Sequence, residues 1–413
     1  MMASPTPTLD DDGSLECPSQ GLALCEAVAH VMRSLFHTRL DDTDPTRVLI
    51  PEHFSRELLE DCYLAVDTVY EAARGRNEYS TQWTLEEYIA AQDAPKGKTN
   101  AGNPDFSPAV SPRVNEQPTL VEVPCHVSDS EGKVLAWYLP GLISRRRQAA
   151  VEQSIVQLDG DSAKGLPLDG SRSSPWRTNA FFFREPEECQ VNPGCVCFSP
   201  CWYSQAHPPP EYQPTPSQSM NDPANVSFLE DIQEYNAIMG GVLAIIHPAL
   251  FETAMDSWKA IYADPSCTSK PELVADLLGT WSSPFTAVSL ITNRETPLHK
   301  DRKGGRFYLD AVTTFGNYAN GRFEIDGLGM RFRYNPGTAV FLNSHTFRHG
   351  ASRVEGERYC LVSFFRPDVV QNHGGYKSED AETLPTIQSY REYYLGATGG
   401  WKGKGKEGTP GLE

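Results

Sequence analysis

Between residues 285 and 365 the sequence breaks into short runs rich in β-branched and aromatic residues, separated by turns of Gly, Asn and Pro. The runs fall at 285–292, 306–314, 321–325, 330–334, 339–342 and 359–365. Short strands that follow one another without an intervening helix pair antiparallel, and several within about 80 residues suffice to close a sandwich or jelly roll. This texture limits the fold more than any other part of the chain.

Upstream the apolar spacing is helical. Leu22, Cys25, Val28, Met32 and Leu35 mark a helix over 21–36. Phe54, Leu58, Cys62, Ala65 and Val69 mark another over 51–73, with Pro51 at a favoured first-turn position. Residues 84–91, 145–158 and 226–263 read as further helices, the last broken at Gly240–Gly241 and near Pro248. Residues 120–127 and 134–139 read as a hairpin. Residues 94–118, 159–175 and 206–225 are rich in Pro, Gly, Ser and Asn and read as loops or linkers. The expected architecture is α+β: a double-stranded β-helix (jelly roll) core over 271–395, buttressed by an N-terminal helical and mixed region over 19–270. An acidic arm (1–18) and a Gly/Lys tail (396–413) are expected to be disordered.

At 413 residues, with 39% hydrophobic residues, the chain can bury a large core. No apolar run approaches the ~20 residues that span a bilayer. The start, MMASPTPTLDDDG, has neither a basic nor an apolar segment of a secretory signal. An intracellular protein with reduced cysteines and no membrane partner is the expectation.

Within the β-rich region lies Pro297-Leu298-His299-Lys300-Asp301. The period of two along a strand points His299 and Asp301 to one side. His349 comes fifty positions later, and Arg358 nine beyond that, at the start of an apolar strand. Two imidazoles and a carboxylate form the facial triad suited to non-haem Fe(II), with positions left open for a bidentate 2-oxo acid and dioxygen. The planar fork of Arg358 can pair with the distal carboxylate of such an acid. His345 competes with His349 as third ligand; the Gly350 next to His349 and the spacing to Arg358 favour His349.

The net charge of -18 argues, taken whole, against a nucleic-acid partner. It hides a basic segment: residues 299–366 hold eleven Lys or Arg against six Asp or Glu. Lys300, Arg302, Lys303 and Arg306 flank the triad and could neutralise phosphates.

The stretch 299–366 resembles the TET/JBP family of Fe(II)/2-oxoglutarate-dependent nucleobase dioxygenases, in its fungal, TET-like branch. The resemblance rests on HKDRKGG, on Tyr308-Leu309-Asp310, on LGMRFRYNPGTAVFL (328–342) and on HGASRVEGERYCLVSFFR (349–366). It extends more loosely through 134–148 and the helices of 226–263. It implies that His299, Asp301 and His349 hold iron, that Arg358 holds the far carboxylate of 2-oxoglutarate, and that Arg294 is aimed at its near end. Cys360 stands where relatives often carry a Ser at the oxo acid. Arg366 stands where they carry a His reading a flipped base, and Gly304 where Asn or Asp can meet it. The implied activity is oxidation of methylated bases in double-stranded DNA by a nuclear, monomeric enzyme. 5-Methylcytosine would pass to hydroxymethyl-, formyl- and carboxylcytosine, with N6-methyladenine the other candidate. A prolyl-type protein hydroxylase and a non-enzymatic cupin-like module are the alternatives, separated from the first reading by DNA dependence and by oxo-acid turnover.

Cys189, Cys195, Cys197 and Cys201, with His207 nearby, form a dense group that could bind structural Zn, although the spacing lacks the usual C-x2-C knuckle.

Overall fold

The computed structural model describes residues 19–74, 78–93, 120–161, 175–177, 179–204, 207–374 and 383–395. The acidic arm, the 94–118 loop, the Gly/Lys tail and most of the 159–175 linker lie outside the described residues.

Two helices open the described chain. Helix α1 (Gln20–Asp41) starts where the Ser19 side chain accepts the Leu22 N–H at 3.1 Å. Helix α2 (Arg56–Ala73) starts the same way at Ser55, so Pro51 lies before the helix and not in its first turn. Strand β1 (Glu78–Ser80) and helix α3 (Leu85–Asp93) come next. Thr84 and Glu87 cap α3 reciprocally, each accepting the other's backbone N–H.

The expected strand over 120–127 is two strands, β2 (Leu120–Val121) and β3 (Cys125–Ser128), which enter different sheets. Strand β4 (Val134–Leu139) pairs with β3 across a turn held by Asp129, whose carboxylate accepts from Glu131 N and Lys133 N. Helix α4 (Arg145–Asp161) and strand β5 (Gly194–Phe198) continue the chain. The next segment forms α5 (Pro223–Asp231), α6 (Gln233–Ile246), α7 (Pro248–Ala263) and α8 (Pro271–Thr280).

Helix α6 runs unbroken through Gly240 and Gly241; the break expected near Pro248 falls at His247, and another comes at Ile232. The glycines serve close packing. A Cβ on Gly241 would lie 2.4 Å from Met32 Sδ, and one on Gly240 2.8 Å from Cys25 Sγ, both on α1.

The remaining strands are β6 (Ala287–Thr292), β7 (Thr296–His299), β8 (Asp310–Tyr318), β9 (Arg322–Ile325), β10 (Met330–Arg333), β11 (Ala339–Leu342), β12 (His349–Ala351) and β13 (Gly356–Phe364). Helices α9 (Pro367–Asn372) and α10 (Ile387–Leu395) end the described chain. The larger sheet has eight strands, ordered β1-β3-β4-β11-β8-β13-β6-β5; the smaller has five, β2-β10-β9-β12-β7. The larger sheet draws strands from both sides of residue 271.

The sheets face each other. Tyr138 of β4 packs on Phe332 of β10 with ring centroids 4.8 Å apart, and its hydroxyl donates to Arg333 O. The other face of the larger sheet carries the helices: Tyr235 of α6 meets Phe315 of β8 edge-on at 5.5 Å. The alternation along β13 therefore sends Tyr359 and Leu361 toward the helices, and Arg358, Cys360, Val362 and Phe364 into the space between the sheets. Among the described residues no helix is long and apolar enough to cross a membrane.

Candidate active site

Strands β7 and β12 are antiparallel neighbours, and their register sets His299 directly opposite His349. The two rings lie 4.4 Å apart. Gly350 makes this pairing possible, since a Cβ there would sit 2.7 Å from Thr296 O. Asp301 lies just beyond β7, in a turn pinned by Asp301 N donating to Ser344 O at 3.0 Å and Gly304 N donating to Asp301 O at 2.8 Å. One ligand atom from each of His299, Asp301 and His349 falls within 4.8 Å of the other two.

The donor set is prepared for a cation. His299 Nδ1 is 2.9 Å from Pro297 O, and His349 Nδ1 is 3.1 Å from Phe347 O. A carbonyl only accepts, so each Nδ1 carries a proton and Nε2 is the ring nitrogen left to face the cation site. Those Nε2 atoms lie 3.6 Å from Asp301 Oδ1 and Oδ2 respectively. Burial, then the His299 charge, lowers the His349 pKa to about 4, which keeps it neutral at pH 7. Burial alone would raise the Asp301 carboxyl. Hydrogen bonding to His299, the charges that the His299 and His349 rings carry when protonated, and the Arg177 charge outweigh it and hold the group well below the usual carboxylate range. Two imidazoles and one carboxylate fit a divalent iron. His345 sits in the turn after β11 and does not join the group.

Two buried guanidinium groups stand on the same side. Arg358 is 2% exposed and Arg294 is 5% exposed. Arg358 Nη1 donates to Ser352 O at 2.5 Å, and Nη2 donates to the Arg294 carbonyl. Arg294 Nη1 donates to Arg177 O at 3.1 Å, while its Nε is buried without a partner. No carboxylate pairs with either among the described residues. A buried cation lacking an acid is costly unless an anion completes it. Asn293, held at φ 52°, aligns the pair: its Oδ1 accepts Arg358 N–H, and its own N–H donates to Arg358 O. Cys360, on the same inward face, places Sγ 3.9 Å from Thr314 Oγ1.

At the mouth, the Arg366 guanidinium lies 5.5 Å from the Trp202 ring centroid and 5.2 Å from that of Phe364. Lys303 is close by: burial and the Arg366 charge both lower its pKa. Arg306 and Arg302 are exposed on the same loop. Lys300 is not with them. Strand alternation turns it away from the triad, and its ammonium meets Gln92 Oε1 at 3.3 Å and the Tyr88 ring at 5.8 Å, both on α3.

The four cysteines do not converge, and among the described residues the triad is the one group of three or more such ligands. Cys195 and Cys197 share the inward face of β5. Cys189 sits near Arg184 and Glu357, and Cys201 is buried near Cys267. Burial raises all four thiols, Cys197 to about 12, which disfavours the thiolates that zinc needs. The geometry does not support the zinc site that these cysteines could have formed.

Sequence reasoning misses three contributors. From the sequence, Trp202 reads only as the end of a cysteine loop. Trp176 and Arg177, in a short turn (Pro175–Arg177) beside the polar linker, lie against the triad: the Trp176 ring is 4.5 Å from His299, and Arg177 Nη2 is 2.7 Å from Asp301 Oδ1. The one signal for them is a Trp-Arg pair in otherwise polar sequence.

Residues 199–367 match the family Tet_JBP, described as the oxygenase domain of the 2OGFeDO superfamily. Among solved structures the chain is similar to NgTET1 in complex with 5mC DNA, at 13% identity and a TM-score of 0.43, covering 76% of this chain and 92% of that one. It is also similar to an oxidoreductase of the 2OG-Fe(II) oxygenase family from Burkholderia pseudomallei, at 12% identity and a TM-score of 0.30, covering 62% and 90%. No curated protein matches the sequence.

Proposed function

We propose that this chain, whose residues 199–367 carry a TET/JBP-type oxygenase domain of the 2OGFeDO superfamily, oxidises methylated bases in double-stranded DNA. The superfamily uses Fe(II), 2-oxoglutarate and O2, which together supply oxidative decarboxylation of the oxo acid coupled to oxygenation of a C–H bond. We read the two facing sheets as a jelly roll, and the helices of the 19–270 region as its buttress. The observation that carries the reading is the His299–Asp301–His349 triad beside two buried, acid-free guanidinium groups, Arg294 and Arg358. That pairing suits a metal and a dicarboxylate together.

The protein's part is positional. His299, Asp301 and His349 would hold the iron through Nε2 and carboxylate oxygens. Arg358 would fix the distal carboxylate of 2-oxoglutarate, and Arg294 with Cys360 would border the rest of the molecule. A methyl group inside a duplex is out of reach, so the base must leave the stack at a cost of a few kcal/mol. The Arg366 guanidinium, flanked by Trp202 and Phe364, supports a site where a flat ring is received and its acceptor atoms are met by N–H donors. Arg302, Lys303 and Arg306 favour a phosphate backbone alongside. We favour 5-methylcytosine, oxidised stepwise to its hydroxymethyl, formyl and carboxyl forms, with N6-methyladenine the second base. We further propose that the enzyme acts as a monomer in the nucleus and belongs to the fungal TET-like branch.

The test is nucleoside mass spectrometry after incubation of the protein with Fe(II), 2-oxoglutarate and duplexes carrying either methylated base. Oxidised cytosines support the reading, and formaldehyde with plain adenine selects the second base. Oxo-acid turnover that is indifferent to both duplexes would reject DNA as substrate.

A further inference from the structure

Each ligand of the triad has an atom turned away from the cation site, and what holds that atom differs among the three. His299 Nδ1 is held by Pro297 O on the same strand, and His349 Nδ1 by Phe347 O in the bend just before β12, each two residues back. Those contacts come with the local chain. The Asp301 carboxylate is met locally only by the His299 ring, whose Nε2 faces Oδ1 at 3.6 Å from the cation side, and nothing local holds its outer side. Its backbone is pinned, but the one arginine or lysine donor to its oxygens among the described residues is Arg177 Nη2, 124 positions away in sequence.

The turn that brings Arg177 is itself built into the site. Trp176 packs against the His299 ring at 4.5 Å. The Arg177 guanidinium stacks on Trp176 at 4.4 Å, and that of Arg294 lies 5.2 Å from the same ring. Arg294 Nη1 donates to Arg177 O at 3.1 Å, and the Arg294 carbonyl accepts from Arg358. One continuous set of contacts therefore runs from the metal carboxylate through Arg177 and Arg294 to the guanidinium assigned to the oxo acid.

We propose that Arg177 is a positioning residue of the metal centre. It fixes the rotation of the Asp301 carboxylate by occupying Oδ1, which leaves Oδ2 as the single oxygen offered to the cation beside His349, while Trp176 holds the His299 ring in plane. Without Arg177 the partly buried carboxylate can turn about its last bond, offer both oxygens, or swing toward water. Partners of this kind that orient metal ligands typically contribute 10- to 100-fold in metal affinity. The proposal rests on the triad as a metal site and not on the identity of the base.

The test uses Co(II) alone, bound anaerobically to the metal-free full chain, with no DNA and no oxygen. Affinity is read by calorimetry, coordination by the visible absorption of bound Co(II), and the metal-free fold by circular dichroism. R177M is expected to weaken Co(II) roughly 10- to 100-fold and to change the absorption spectrum, while circular dichroism stays that of the wild type. R177K, which keeps the charge but not the planar fork, should fall between the two. W176F should remove part of the tryptophan quenching that Co(II) causes. Wild-type affinity and spectrum in R177M overturn the proposal. Tighter binding also overturns it, because the guanidinium would then be a competitor of the metal. If R177M does not fold, R177K decides: several-fold weaker Co(II) supports the proposal, and unchanged affinity overturns it. Failure of the DNA reading would leave these outcomes untouched.

Discussion

Replacing Arg358 with Met tests the oxo-acid site most directly. The guanidinium is 2% exposed and has five N–H donors, of which the carbonyls of Ser352 and Arg294 take one each. The remaining donors can meet a carboxylate through two charge-assisted bonds. Each is worth about 1.5–3 kcal/mol, and a loss of about 3 kcal/mol in total corresponds to roughly 150-fold in Kd. Met keeps the length and removes the charge. It leaves two carbonyls without that donor, at about 1–3 kcal/mol each, partly offset because an uncompensated buried cation disappears. The variant should therefore fold, with a lowered melting temperature. The assay compares two 2-oxo acids on the metal-loaded protein by calorimetry: 2-oxoglutarate, and 2-oxobutyrate, which lacks the distal carboxylate. R358M should lose roughly two orders of magnitude on the first, by the same estimate, and little on the second. Equal losses on both acids would mean that the substitution acts through the fold. No loss on 2-oxoglutarate would move the carboxylate site away from Arg358.

Three further outcomes are expected. H299A, D301A and H349A should each abolish oxo-acid turnover with little change in circular dichroism, whereas H345A, outside the ligand group, should retain most of it; the reverse order for the two distal histidines would exchange their roles. Burial lowers the pKa of His247, the N-cap of α7, to about 3, so its neutral form stabilises the fold fully above the unfolded value of 6.5, and that stability is lost as pH falls toward 3. Denaturation of wild type and H247N should accordingly differ by up to about 1.4 kcal/mol more for each pH unit between pH 4 and 6.5, and a constant difference would refute the linkage. On methylated duplex, R366A should depress turnover more than it weakens binding of unmodified DNA, while K303A with R306A should flatten the slope of log K against log salt by roughly 0.9 for each phosphate no longer neutralised; equal effects of R366A on both readouts would make Arg366 a backbone contact.

How much of the molecule is legible in the sequence depends on how local each feature is. The runs at 330–334 and 339–342 form β10 and β11 nearly unchanged, because alternation and turn residues are properties of a few neighbours. The strand expected at 306–314 lies instead at Asp310–Tyr318: Tyr308 and Leu309 are buried and apolar, but β13 and β11 pair with residues from Asp310 onward. Strand β12 has three residues with a glycine between His349 and Ala351 and no strand propensity of its own; it exists because β7 and β9 flank it. At Gly240 the local rule points the wrong way, since the residue that weakens an isolated helix is the one that lets α1 come within contact of α6. The site divides along the same line. His299 and His349 are legible because strand period and spacing carry them, and their Nδ1 partners lie two residues back. Arg177 is not legible, because nothing in Pro175-Trp176-Arg177 indicates which surface the turn will meet, and its contact with Asp301 spans 124 positions of sequence. The least local contact in the triad is thus the one on which the orientation of its carboxylate depends, and a substitution far from the His-x-Asp motif in sequence can alter the metal site without touching a ligand.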